Sequence, residues 1–165
     1  MSQIINEKMA KEIDKWVAKF PSDKKKSAVL MALRIVQDEY KWLKKEHVQA
    51  VADYLDVPNT EVGEVLTFYS LYQQKPVGNH TVKVCTSLSC CLNGAYSVLG
   101  YVENELGIKC GQTTKDGQIT LQEAECIAAC ADAPAMIIDD KDFYRRVTPE
   151  KVKEIISNIK DGDRP

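Results

Sequence analysis

Apolar residues recur at helical spacing through the first half of the chain. Ile13, Trp16, Val17 and Phe20 stand at i, i+3, i+4 and i+7, which is one face of a helix. Pro21 ends that segment, and Ser22 or Asp23 is placed to cap the next. Val29, Ala32, Leu33 and Val36 form a second stripe, and Val48, Val51, Ala52 and Leu55 a third. After the turn Val57-Pro58-Asn59-Thr60, a fourth stripe runs through Val62, Val65, Leu66 and Tyr69. Such stripes are core faces first, and the rings of Phe68, Tyr69 and Tyr72 are expected to join them. Residues 48–69 also have the outline of a helix-turn-helix. The second helix opens with Thr60-Glu61-Val62-Gly63-Glu64, however, which sets carboxylates against phosphates and argues against nucleic acid as a partner.

The pattern changes after residues 73–80, where Pro76 and Gly78 read as a linker. Residues 81–85 alternate as a strand with Val82 and Val84 on one face. Asn93 is placed to cap a helix carrying Ala95, Val98, Leu99, Val102 and Leu106, and Gly107 stops it. Residues 119–124 form a second strand. Residues 135–139 and 143–147 form a hairpin around Asp139-Asp140-Lys141-Asp142. Thr148 caps and Pro149 opens a last helix with Val152, Ile155, Ile156 and Ile159 as its buried stripe. Strand, helix, strand, hairpin, helix is the order of a sheet flanked by helices, and matches a thioredoxin-like α/β arrangement. The expected organisation is a helical bundle domain over 1–76 and a thioredoxin-like domain over 77–165.

Composition narrows the function classes. Charged residues make up 28% of the 165-residue chain and the net charge is −2, with no basic block beyond Lys24-Lys25-Lys26. Phosphate attraction is therefore not the organising force. Apolar runs are a few residues long against the roughly 20 that span a bilayer, and the N-terminus lacks the apolar core of a signal peptide. The expectation is a cytoplasmic protein without direct membrane insertion. Structural disulfides are rare there, so six cysteines point to metal binding or redox chemistry.

Four of the six form two groups, Cys85-x4-Cys90 and Cys126-x3-Cys130, each just after an expected strand. If those strands are neighbours, both loops lie at one end of the sheet and four thiolates can converge. Two-iron clusters take four cysteine ligands, two per iron, and thiolates also suit zinc. Spacing alone leaves iron–sulfur and zinc about even. His47 and His80 lie outside both loops, which disfavours a two-histidine Rieske centre. No C-x-x-C occurs, which disfavours a thioredoxin-type dithiol. Ala128, Ala129, Ala131 and Ala133 are small enough to let backbone N–H groups approach sulfur. Cys110 stands alone and reads as a buried small hydrophobe. Cys91 adjoins Cys90 and could replace it as a ligand.

Several segments together resemble one family, the small iron–sulfur subunit of NADH:quinone oxidoreductase (respiratory complex I), of thioredoxin-like ferredoxin type. They are Ala32-Leu33-Arg34-Ile35-Val36-Gln37, Val65-Leu66-Thr67-Phe68-Tyr69-Ser70, Val84-Cys85-Thr86-Ser87-Leu88-Ser89-Cys90 with Gly94, Gly111-Gln112-Thr113-Thr114 with Asp116-Gly117, and Glu125-Cys126-Ile127-Ala128-Ala129-Cys130 with Ala133-Pro134. The resemblance implies one [2Fe–2S] cluster held by Cys85, Cys90, Cys126 and Cys130. It also implies docking to a subunit that carries the flavin (FMN) and binds NADH, with further iron–sulfur subunits beyond, in a complex peripheral to the inner membrane. Related subunits serve NAD-linked hydrogenases and formate dehydrogenases, and a zinc-stapled interaction domain is the reading from a different class. Where the family usually has glycine, this chain has Ala128. The eight glycines form no G-x-G-x-x-G, so NADH is expected in the partner and not here. The expected role is that of an electron-carrier subunit with no general acid or base of its own.

Overall fold

The computed structural model describes residues 4–161. Chain contacts divide it into two compact units, with the break between Pro76 and Val77.

The first unit is helical: α1 (Glu7–Val17), α2 (Val29–Tyr40), α3 (Lys45–Leu55) and α4 (Asn59–Phe68). Its core joins Met9 and Ile13 of α1, Val29, Leu33 and Val36 of α2, Val51 and Leu55 of α3, and Val62 and Leu66 of α4. They come from the apolar stripes of the sequence, with Met9 added to the first and Trp16 left half-buried outside the core. Gln37 is buried among them with both ends of its amide bonded: it donates to the Leu71 carbonyl (3.0 Å) and accepts from the Gln73 N–H (2.6 Å). That pins the segment after α4 onto α2.

The boundaries differ from the sequence expectation at three places. Asn6 caps α1, its side chain accepting from the Met9 N–H, and the helix stops at Val17 before Phe20. A 3-10 turn, Lys25–Ala28, precedes α2, so neither Ser22 nor Asp23 is its cap. Among the three rings, only Tyr72 is core, its hydroxyl donating to the Leu30 carbonyl at 2.6 Å; Tyr69 is half-exposed and Phe68 is 80% exposed.

The second unit is a four-stranded sheet in the order β2-β1-β3-β4, built from β1 (His80–Cys85), β2 (Ile119–Ala124), β3 (Met136–Ile138) and β4 (Asp142–Tyr144). β1 and β2 are parallel, with Cys85 opposite Ala124. Parallel neighbours need a long crossover, and α5 (Leu88–Leu92) and α6 (Ala95–Leu106) lie on it. β3 is antiparallel to β1, and β4 to β3. The hairpin closes with Asp139 and Asp140 both at φ 54° and the Lys141 N–H donating to the Ile138 carbonyl at 3.0 Å. Two consecutive positive φ values are the mark of a type I′ turn, whose twist suits a hairpin. Val98, Leu99 and Val102 of α6 pack with Val152, Ile155 and Ile156 of α7 (Pro149–Asp161) against Val82, Val84 and Leu121. The sheet-and-helix reading therefore holds, with one unforeseen element: α5, which makes Asn93 the end of one helix and leaves Gly94, at φ 89°, as the start of α6. No helix of the described residues is long and apolar enough to cross a membrane.

Candidate metal centre

Parallel pairing of β1 and β2 settles where the cysteines go. Both strands run toward the same end of the sheet, Cys85 closing β1 and Cys126 following β2 by two residues. The short helix α5 then carries Cys90, and a 3-10 turn, Cys130–Asp132, begins at Cys130.

Cys85 and Cys90 are buried, and with Ala95 and Ala135 they form a small separate apolar cluster, flanked by Ile127, Ala129 and Ala133. Burial pushes the Cys90 thiol up; its hydrogen bond with Cys85 and the proximity of Cys85 and Cys130 push the same way, against the Ala135 backbone. Cys90 thus lies beside Cys85, in the same apolar cluster. Cys126 and Cys130 are solvent-exposed. Cys126 belongs to the loop whose Glu125 carbonyl accepts from the Cys85 thiol at 3.9 Å. The two loops are also tied through Ser89, whose hydroxyl donates to the Cys130 carbonyl at 3.0 Å. Asp132 anchors the far end of the second loop: its carbonyl accepts from the Arg146 N–H (2.8 Å), and its carboxylate takes the guanidinium of Arg146 (2.9 Å) and that of Arg145 (3.5 Å).

Ala128 has φ 58°, so the left-handed backbone that suits glycine is present without glycine. Its N–H turns back to the Cys126 sulfur at 3.4 Å, which is the contact small loop residues make possible. A Cβ in this region costs about 1 kcal/mol or a little more, partly offset by the freedom glycine has in the unfolded chain. Ala128→Gly is therefore expected to stabilise the protein by about 0.5 kcal/mol, read as a rise in the urea midpoint at unchanged slope. A lower midpoint would mean that the alanine methyl contributes packing that outweighs the strain.

The other two cysteines lie apart. Cys91 is exposed on α5, one residue from Cys90 but not buried with it. Cys110 is half-buried at the edge of the main core of this unit, its thiol pushed up by burial and then by the Glu123 carboxylate. Among the described residues, no three His, Cys, Asp or Glu side chains are grouped to hold one metal ion. A four-cysteine zinc site needs four sulfurs around one point, whereas a two-iron centre needs two pairs on neighbouring points. Two loops, each offering a pair of thiols, can supply either centre. The sequence missed Ser89 and the Asp132 anchors, because nothing in local spacing marks a hydroxyl that reaches a carbonyl 41 residues away.

Comparison with known proteins gives the same direction. The chain is 37% identical to an NADH-quinone oxidoreductase subunit of Rickettsia bellii over 145 residues, covering 87% of this chain and 86% of that protein. It is 33% identical to NADH-quinone oxidoreductase subunit 2 of Thermus thermophilus over 152 residues, covering 92% and 84%. With an NADH-quinone oxidoreductase subunit of Escherichia coli it shares 38% over 135 residues, covering 82% and 81%. The crystal structure of an NAD+-reducing [NiFe]-hydrogenase in the air-oxidised state superposes with a TM-score of 0.71 at 18% identity; the match covers 82% of this chain and 23% of that one, and speaks to the fold alone. The family model described as thioredoxin-like [2Fe–2S] ferredoxin matches residues 13–160, nearly the whole length, and the chain belongs to that family.

Proposed function

We propose that this chain is the electron-transfer subunit of an NADH:quinone oxidoreductase, holding one [2Fe–2S] cluster on Cys85, Cys90, Cys126 and Cys130. The observation that supports it most is the parallel β1–β2 pair, which delivers two two-cysteine loops to one end of the sheet in a chain of this family. When bound, such a cluster accepts and returns one electron at a time, while a nicotinamide gives two as hydride, so a flavin must stand between them. The flavin and NADH belong to a partner subunit, and this chain alone is not expected to oxidise NADH. Attachment to the inner membrane is through the parent complex.

The chain's own residues then have defined tasks. Four thiolates hold the iron; the buried pair Cys85 and Cys90 excludes water on one side, and the Ala128 N–H places a donor on the Cys126 sulfur. Glu123 and Glu125 are exposed near the second loop and oppose added negative charge, whereas the Asp132 carboxylate is already matched by Arg145 and Arg146. The expected midpoint potential is on the order of −400 mV or somewhat above, as for all-cysteine two-iron ferredoxins.

The test is one anaerobic preparation of the full chain. A red-brown protein with iron and sulfide in equal amounts and a reduced-state EPR signal is the expected result. A colourless protein carrying zinc would overturn the proposal in favour of a non-redox interaction domain, and a clearly positive midpoint would contradict the all-thiolate ligand set.

The two units divide the work in this reading: residues 77–165 form the redox domain and residues 1–76 serve as a docking element for the partner. The helical unit contains no cysteine, since all six lie at or beyond residue 85. A fragment starting at Gly78 should retain its cluster and bind the flavin-carrying subunit far more weakly than the full chain. Equal affinity of the two by calorimetry would remove the docking role from the helical unit.

A further inference from the structure

Of the two histidines in the chain, His47 is the buried one, 4% exposed at the start of α3. Lys44 is the N-cap of that helix, with extended backbone at φ −89° and ψ 168°. A lysine side chain has no acceptor, so it cannot cap the first turn as serine or aspartate would. His47 stands at N3, where a capping box has Glu or Gln reaching back to the N-cap N–H. The imidazole does the same: its Nδ1 accepts from the Lys44 N–H at 3.2 Å. A ring nitrogen that accepts carries no proton, so the ring is neutral with its proton on Nε2. The bond closes the α2–α3 connection, which begins at Lys41 with φ 69°. Leu43, between them, is 2% exposed in the helical core, and its N–H donates to the Gln73 carbonyl at 2.8 Å. Tyr40, at the end of α2, lies over the imidazole with ring centroids 4.5 Å apart and planes tilted by 30°. The one ring therefore holds both ends of the connection.

We infer that His47 is a pH-sensitive latch on the α2–α3 connection, closed when its ring is neutral and released when the ring is protonated. A second ring proton goes onto Nδ1, where it points at the Lys44 N–H. An acceptor becomes a donor facing a donor, at a buried site where water cannot take over the lost bond. The groups around the ring pull in both directions. Burial holds the imidazole below its ordinary range; the Trp42 backbone and then the Glu46 carboxylate pull it up, and the Lys44 ammonium pushes it down. Lys44 and Glu46 pair with each other at 3.5 Å, so their opposed effects on the ring partly cancel. From α2 the Tyr40 ring faces the imidazole, and it favours a cation weakly. Burial prevails among these. The folded ring thus binds a proton less readily than the released one. The released state gains as pH falls below about 6.5, the ordinary histidine value. The latch is fully closed above that value and weakens as pH falls from it toward the folded-state pKa. Its opening frees Leu43 from the core and the connection from Gln73. The inference concerns the helical unit alone and does not depend on which metal the cysteines hold.

Hydrogen exchange of the full chain, read by mass spectrometry over residues 41–48 at pH 7.5 and pH 5.5, tests the latch. The rates are corrected for the intrinsic effect of pH on amide exchange. One pH unit below its ordinary value a released histidine is about tenfold more often protonated than not, so protection of this segment should fall about tenfold. His47→Gln keeps an acceptor at N3 and cannot titrate, and its protection should change by less than about twofold. An equal fall in wild type and His47→Gln overturns the inference, and so does a wild-type segment whose protection is the same at both pH values. Should the glutamine variant fail to fold, the wild-type ring decides. The chain has only two histidines, so its proton NMR spectrum carries two sets of imidazole signals, told apart with His80→Asn. A His47 signal that titrates below the ordinary histidine range is the expected result. One that titrates at about 6.5 or above overturns the latch, because protonation would then cost the folded chain nothing.

Discussion

Serine in place of any one of Cys85, Cys90, Cys126 or Cys130 is expected to remove the cluster or perturb it badly, whereas Cys91→Ser and Cys110→Ser leave it in place. The reason is chemical and positional. A two-iron cluster takes all four of its protein ligands as thiolates, and a serine oxygen is a harder donor that iron in this setting holds poorly. Cys85 and Cys90 carry an added cost, because their side chains are 3% and 2% exposed in an apolar pocket with Ala95 and Ala135. A hydroxyl there lacks the water it would otherwise bind. Cys126 and Cys130 are exposed, so their serine variants should fold well and fail only at the metal. Cys91 points to solvent while its neighbour points inward, and Cys110 packs against a different core. Iron and sulfide per chain, together with the reduced-state EPR spectrum, read the outcome. Loss of the cluster in Cys91→Ser, with Cys90→Ser unaffected, would reverse the ligand assignment in the first loop.

Much of the fold was legible because burial imposes a period on the residues. The strand Ile119–Ala124 is bounded in the structure as the sequence places it, and the stripe Val152, Ile155, Ile156 and Ile159 packs as α7 against the sheet. Elements too short to show a period were not legible. α5 has five residues and two adjacent cysteines, so it read as loop, and the capping role given to Asn93 followed from that error. Phe68 read as core because it adjoins Val65 and Leu66, yet it is the residue at which α4 ends and its ring faces outward. The candidate site was legible as residue types and spacing. What holds its two loops together was not: Ser89 to Cys130, and Arg146 to Asp132, join residues far apart in sequence through polar atoms that leave no periodic trace.

The segment read as a linker is where the structure departs furthest from the sequence, and it supports a prediction with a sign test. Residues 73–80 contain Pro76 and Gly78, the usual marks of a free connection. In the structure the end of this segment already extends the β1–β2 pair. The Gly78 N–H donates to the buried Thr120 hydroxyl at 2.6 Å, which in turn pairs with the Thr113 hydroxyl at 2.8 Å. The N–H groups of Asn79 and His80 donate to the carbonyls of Gly117 (3.2 Å) and Gln118 (2.8 Å). Gly78 has no room for a side chain: a Cβ there would lie 2.8 Å from the carbonyl carbon and oxygen of Gln118 and 2.9 Å from the Ile119 nitrogen. All three are backbone atoms at the entry to β2, so they cannot rotate away as a flexible side chain would. Overpacking of this kind costs about 1–3 kcal/mol. Gly78→Ala should therefore destabilise the protein by about 2 kcal/mol, and Gly78→Val by more. The same change has the opposite sign at Gly63 in α4 and Gly100 in α6, where a Cβ meets nothing within 4 Å. There alanine should add about 0.5–1 kcal/mol, because glycine is a poor helix former. Urea titrations of the three variants side by side decide the matter. A Gly78→Ala midpoint equal to wild type would show that the lead into β1 can part from residues 117–119 without loss, and that this stretch is a linker after all.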